Sequence, residues 1–299
     1  MGSSRWSAAD WDNFSSQTAG QTRQQIFNQT NIHPDLDPRT ITVRESVDSP
    51  ANPQSTPIII GVDETGSMGA LAETIIRTGL GTIMEEIYDR KPVTDPHVLC
   101  MGIGDAYSDR APLQVTQFEA SIVLAEQVKH IFLEGNGGGN GGESYNLAWW
   151  FAAYKTRCDA QMKRHRKGYL FTIGDEPPHR MLSRAHIVEF LGGAAETDIS
   201  TKDLLAIVSQ QWEVFHLIVN PGSYPDAITA WRNLLGERAM QITDHTKLAE
   251  VIVSTIQIVE GHSYADAVGR WTGDTAIVVA NATKALTQNH SAQEDVVRL

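Results

Sequence analysis

The feature that most constrains this chain is a series of short apolar runs that do not alternate between inside and outside and that are separated by amphipathic segments. The first is Ile58 to Val62, and Val98 to Ile103, Tyr169 to Ile173 and Val214 to Val219 repeat the pattern. Leu71, Ile75, Ile76, Leu80, Ile83, Met84 and Ile87 follow the first run at helical spacing. Further helical segments are expected near 121–134, 143–158, 183–192, 200–212, 225–235 and 246–260. Strands that are apolar on both faces and separated by helices make a parallel sheet covered on both sides. The expected fold class is therefore doubly wound α/β, a mostly parallel sheet with helices on both faces. Leu113 to Phe118 does alternate, which suits a short antiparallel edge strand.

Three regions follow from the pattern. Residues 1–55 are polar and turn-rich, but Trp6, Trp11, Phe14, Ile26 and Phe27 give this extension the means to dock. Residues 56–262 form the α/β domain, and 263–299 a helical C-terminal tail. The last helix of the domain, with Leu248, Val251, Ile252, Ile256 and Val259, is expected to lay one apolar face on the sheet and lead into that tail.

Charge narrows the partners. With 36 acidic and 24 basic residues the formal charge is −12, which repels a phosphate backbone, so nucleic acid is excluded as a default partner. The two cysteines, Cys100 and Cys158, lack the spacing of a zinc or redox site and are expected to be buried thiols. No secretory segment opens the sequence, and no apolar run approaches the roughly 20 residues needed to span a bilayer. The expectation is a soluble, cytoplasmic protein without a membrane partner.

In an open parallel sheet, ligands bind beyond the carboxyl ends of the strands. There the first run ends in Asp63-Glu64-Thr65-Gly66-Ser67-Met68-Gly69, and the run ending at Ile173 continues into Gly174-Asp175. A glycine-rich stretch, 135–142, leads through Glu143 and Ser144 into a helix. Alternate residues Asp63, Thr65 and Ser67 on one tight loop can turn three oxygens to one point, and Asp175 supplies a second carboxylate. Hard cations such as Mg²⁺ or Mn²⁺ take such oxygen shells.

This arrangement resembles the metal-ion-dependent adhesion site of von Willebrand factor A (integrin I-like) domains, in their bacterial or phage intracellular form. The likeness covers residues 56–262: DxTxS after an apolar strand, a Gly-rich second loop, and a late strand-ending aspartate with Thr172 before it. It implies metal ligands at Asp63, Thr65, Ser67 and Asp175, with Asn140 standing where the family has Thr or Asp. Glu143 is the alternative donor there; otherwise the glycines serve only the backbone geometry of a helix start. The implied function is a metal-dependent protein-binding module, not an enzyme, which captures an Asp or Glu carboxylate of a partner protein. Bacterial relatives of this kind work beside AAA-type ATPases or in stress-response complexes.

Two other readings use the same residues. Asp63 to Ser67 also resembles the DKTGT loop of haloacid-dehalogenase-type phosphotransferases or phosphatases, with Asp63 as nucleophile, Gly174-Asp175 as the metal-binding pair and Lys167 as the charge-offsetting lysine. The Leu-Thr that follows this loop in P-type pumps is Met68-Gly69 here. The plainest reading, acidic residues that only cap helices, leaves their convergence on one end of the sheet unexplained. Asp105 and Asp109 are read as a solvated loop and His97 and His179 as surface histidines. Trp149 and Trp150 are read as one core and one partly exposed residue.

Overall fold

The computed structural model describes residues 4–135, 141–219 and 224–287. Its centre is a six-stranded sheet built from β1 (Thr56–Asp63), β2 (Pro96–Ile103), β3 (Leu113–Val115), β4 (Gly168–Gly174), β5 (Trp212–Val219) and β6 (Ala239–Ile242). The spatial order is β3-β2-β1-β4-β5-β6, parallel throughout except for β3, which runs antiparallel at the edge against β2. The fold is doubly wound α/β. Burial explains why the strands read as unbroken apolar runs: Ile58, Ile60 and Val62 enter the core on one face of the sheet while Ile59 enters the core on the other.

On the first face lie α1 (Ala8–Thr18), α2 (Gly69–Thr74), α3 (Leu80–Arg90), α4 (Val123–Val128) and, later in the chain, α10 (Leu248–Val259). A π-helical turn over Ile75–Gly79 joins α2 to α3. The second face is covered by α5 (Tyr145–Tyr154), α7 (Arg184–Leu191), α8 (Thr201–Val208) and α9 (Pro225–Leu235); α6 (Asp159–Arg164) follows α5 in the chain. Trp149 and Trp150 of α5 are both buried, so neither shows the partial exposure expected of one of them. The two cysteines are free and buried. No helix among the described residues is long and apolar enough to cross a membrane.

The N-terminal segment packs closely. Trp11, Phe14, Ile26, Phe27 and Leu36 join the first-face core. A Cβ added at Gly81 of α3 would stand 2.3 Å from the Trp11 ring, so α1 lies directly on that helix. Arg77 fixes the end of α1, donating to the Thr18 and Gln21 carbonyls at 3.3 and 2.6 Å.

At the other end, α11 (Tyr264–Gly269) and α12 (Gly273–Thr283) fold back over α10. α10 buries the apolar face expected of it and a second face as well. Ala249, Val253, Ser254 and Ile258 are buried alongside the predicted Leu248, Val251, Ile252 and Ile256. Ser254 donates to the Ala267 carbonyl at 3.3 Å and accepts from Trp271 Nε1 at 2.8 Å.

Candidate functional site

Strand order reverses between β1 and β4, because the chain winds from β1 toward β2 and β3 and then crosses to β4, β5 and β6 on the other side. Asp63 is the last residue of β1, and Val62 pairs with Ile173, so Asp63 lies beside the end of β4 where Gly174 and Asp175 leave the sheet. Gly66 has φ +38°, a left-handed conformation that favours glycine, and the loop closes in a 3₁₀ turn over Gly66–Met68 before α2 begins.

Asp63 is fully buried and fixed by three donors. The Thr65 backbone N–H and hydroxyl donate to Oδ1 at 2.9 and 2.6 Å, and the Tyr145 hydroxyl donates to Oδ2 at 3.0 Å. Gly174 leaves room for this contact, since a Cβ there would stand 1.9 Å from the Tyr145 hydroxyl and 2.9 Å from Asp63 Oδ2. Tyr145, the first residue of α5, was not singled out from sequence; its signal is only its place just after the Gly-rich loop.

The electrostatics of this end are one-sided. Burial, opposed in part by its hydrogen bonds and reinforced by Asp175, pushes the Asp63 carboxyl up to about 7. Burial and the neighbouring Glu176 raise Asp175 to about 6. Glu143 is buried, and its desolvation together with the charges of Asp63, Asp105, Glu176 and Asp109 raises it to about 10. Glu143 Oε2 has no hydrogen-bond partner. Among the described residues no lysine, arginine or histidine pairs with Asp63, Asp175 or Glu143.

Of the five residues expected at the metal, the structure brings Asp63, Thr65 and Asp175 to one place; the side chain of Ser67 and all of Asn140 lie outside the described residues. No group of three or more His, Cys, Asp or Glu side chains among the described residues is arranged by geometry alone to hold an ion. A shell of two carboxylates and hydroxyls does not meet that description, and hydroxyl oxygens keep lone pairs while donating. The unpartnered Oε2 of Glu143 is a further oxygen at this end, and the donors are all hard, which fits Mg²⁺ or Mn²⁺.

A second layer supports the first. Asp105 is fully buried, accepting from the Ser144 hydroxyl at 3.1 Å and pairing with His179 Nε2 at 2.7 Å; the Ser144 hydroxyl itself accepts from the Ala106 N–H at 2.9 Å. Asp109 is also buried and accepts from the Asp105 N–H at 2.7 Å. These residues are thus not a solvated loop, and His179 is not an idle surface histidine: it and Asp105 tie the segment after β2 to the turn after β4. His97 is likewise buried, with Nδ1 3.1 Å from the Ser46 hydroxyl. Glu64, next to Asp63, turns the other way and accepts from Gln114 Nε2 at 2.8 Å. Its burial holds its carboxyl well above the usual range.

Lys167 is far from this centre. It precedes the first residue of β4, at the opposite end of the sheet, and pairs with Glu213 at 3.3 Å. The strand between them spans roughly 20 Å at about 3.3 Å per residue.

No protein-family model matches the chain, and no curated protein matches its sequence. Among solved structures it is similar to the pilus adhesin SpaC from Lactobacillus rhamnosus GG in its open conformation, at 10% identity and a TM-score of 0.43, covering 73% of this chain and 31% of that one. It is also similar to a von Willebrand factor type A protein from Catenulispora acidiphila, at 12% identity and TM-score 0.37, covering 70% and 43%. Proximal thread matrix protein 1 from the mussel byssus gives 9% identity and TM-score 0.42, covering 69% and 46%. The chain spans less than half the length of each. At these identities and scores the likeness carries no residue-level correspondence.

Proposed function

We propose that the chain is a von Willebrand factor A-type module that holds Mg²⁺ or Mn²⁺ on Asp63, Thr65, Ser67 and Asp175 and uses it to capture a carboxylate of a partner protein. The observation that carries this reading is the meeting of two buried carboxyl groups, Asp63 and Asp175, and the Thr65 hydroxyl at the point where strand order reverses, with no basic side chain among the described residues paired to either carboxyl. Buried charge of one sign is costly unless a counter-charge accompanies it, and a divalent cation supplies one. At the position that the resemblance gives to Asn140, Glu143 is the alternative donor, with its Oε2 unpartnered.

When bound, the ion acts as a Lewis-acidic anchor for an anionic oxygen. Asp63 and Asp175 would be its anionic ligands, and the neutral hydroxyls of Thr65 and Ser67 leave it more electrophilic than further carboxylates would, which favours an anionic oxygen from the partner. Tyr145 and Thr65 hold Asp63 in one orientation, and the Asp105–His179 pair holds the adjoining turn.

The phosphotransferase reading is not favoured. Its charge-offsetting lysine would be Lys167, which is committed to Glu213 at the far end of β4. The module is accordingly proposed as a binder, with a component of an AAA-type ATPase assembly or stress-response complex as the expected class of partner.

Calorimetric titration with Mn²⁺ tests the reading. Wild type binds at one principal site, and Asp63→Ala and Asp175→Ala lose that site while keeping a cooperative melt. Equal affinity in wild type and both variants would remove the basis for the module.

A further inference from the structure

A cavity of about 570 Å³ opens beside the acid centre, within the size range of ordinary ligand sites. Its walls are the turn from Pro177 to Arg180, which follows Asp175 and Glu176 directly, the start of α8 around Lys202, and the flank of α9 that carries Asp226 and Leu234. Arg180 and Lys202 are exposed and form no ion pair among the described residues. Several other basic groups are engaged: Arg164 holds Asp48, Arg166 holds Glu260, and Arg238 holds Glu213. In a chain with 36 acidic against 24 basic residues, two such cations facing one cavity, with Asp226 the one carboxylate among its described lining residues, form a local reversal of charge.

The backbone that carries the two cations is tied down. The Thr201 N–H donates to the Arg180 carbonyl at 2.9 Å, and the Thr201 hydroxyl, which accepts from Asn146 Nδ2 at 3.1 Å, donates to the His179 carbonyl at 2.5 Å. The turn after β4 is thereby fastened to α8, so the backbone bearing both cations is preorganised before any partner arrives.

We infer that this cavity seats the continuation of the captured segment, and that the segment is an acidic peptide. One Asp or Glu takes the cation, and a following acidic side chain is held by Arg180 and Lys202. Pro177, Pro178 and Leu234 supply an apolar wall for the stretch between. A guanidinium recognises a carboxylate with two parallel hydrogen bonds, which makes Arg180 the more selective of the two. This inference rests on the metal-binding reading above.

Fluorescence anisotropy on the full chain in Mg²⁺ tests it, with a fluorescein-labelled decapeptide of Asp and Glu interspersed with alanine and its Asn/Gln counterpart as probes. The acidic peptide binds about tenfold tighter, and added salt narrows the gap. The double variant Arg180→Glu/Lys202→Glu loses about tenfold in affinity for the acidic peptide while its Mn²⁺ affinity by calorimetry is unchanged, and Asp226→Asn strengthens peptide binding. Equal binding of the two peptides, wild-type peptide affinity in the double variant, or no peptide binding by protein that does bind Mn²⁺ would each overturn the inference with the metal reading intact. Wild type that fails to bind Mn²⁺ is a separate result and ends both.

Discussion

The Tyr145 hydroxyl donates to Asp63 Oδ2 at 3.0 Å from a ring set edge-on to both His216 and Trp231, with centroids 4.9 and 5.3 Å away. His216 is stacked on Trp231 at 3.5 Å, so the phenol is braced by α9 and β5 and does not depend on Asp63 for its position. Removing the hydroxyl alone should leave this packing standing. Tyr145→Phe is expected to retain the wild-type fold and near-ultraviolet circular dichroism while raising the Mn²⁺ dissociation constant by about tenfold, the usual cost of losing a group that orients a ligand. Unchanged affinity by calorimetry would mean that Thr65 alone suffices to orient Asp63.

Asp63 makes the metal-free protein pH-sensitive. Burial and the Asp175 charge hold its carboxyl near 7 in the folded protein, against 3.8 for the free side chain. The folded state therefore binds this proton more tightly than the unfolded one. The stability Asp63 contributes is fully present below about pH 4 and is lost as pH rises through about 7. His97, lowered to about 4 by burial, has the opposite sign between pH 4 and 6.5, so the diagnostic quantity is the difference between variants. In EDTA, Asp63→Asn should melt within a degree or so of wild type at pH 5 but about 2–4 °C above it at pH 8, the shift that 1 kcal/mol produces in a domain of this size. Saturating Mg²⁺ should reverse the order at pH 8, because only wild type gains from the ion. A pH-independent gap between the two melts would show that Asp63 does not titrate in this range.

Much of this arrangement was legible because burial dictates it. Strands covered on both faces must be apolar at every position, and Ile58–Val62 and its successors announce themselves. Two acidic loops after such strands then converge by topology. β6 escaped because Ala239–Ile242 is only four residues long, too short for a period to show. Asp105 was misjudged for a different reason. Its burial depends on Ser144 and His179, 39 and 74 residues away, and no local pattern announces contacts of that range. Glu64 follows Asp63 yet faces Gln114, because consecutive residues at a strand end point to opposite sides.

Gly174 is where the packing of the site is most easily broken. A Cβ at this position overlaps the Tyr145 hydroxyl at 1.9 Å and crowds Asp63 Oδ2 at 2.9 Å. Overpacking of a rigid interior costs about 1–3 kcal/mol, so Gly174→Ala should lower the melting temperature by several degrees and weaken Mn²⁺ binding. Tyr145→Phe removes the nearest clashing atom, although the ring carbon beneath it remains 2.8 Å from the added methyl. The double variant should recover about half of the loss in stability, a coupling of about 1 kcal/mol in a double-mutant cycle. Strictly additive costs would place the damage elsewhere than at the Tyr145 contact.

The final prediction concerns α10, the helix that would have to move if binding at the strand ends were relayed to the C-terminal segment. Its outer face is not free. Ser254 bonds to both Ala267 and Trp271, and the Trp271 ring in turn carries the Arg90 guanidinium at 3.8 Å, which fastens α11, α10 and α3 to one another. A displacement of α10 along its axis would have to break these contacts as well as its packing on the sheet, and a ligand drives such a change only through different affinity for the two states. Amide exchange over residues 248–259 should therefore be slow and should stay within about twofold on saturation with Mn²⁺ and the acidic peptide, whereas the loop from Asp63 to Gly69 slows markedly. Trp271→Ala should speed exchange in α10 in the absence of any ligand, showing that the clasp and not the sheet alone sets its protection. A severalfold change in wild-type α10 upon ligand binding would instead make this helix the moving part of the protein.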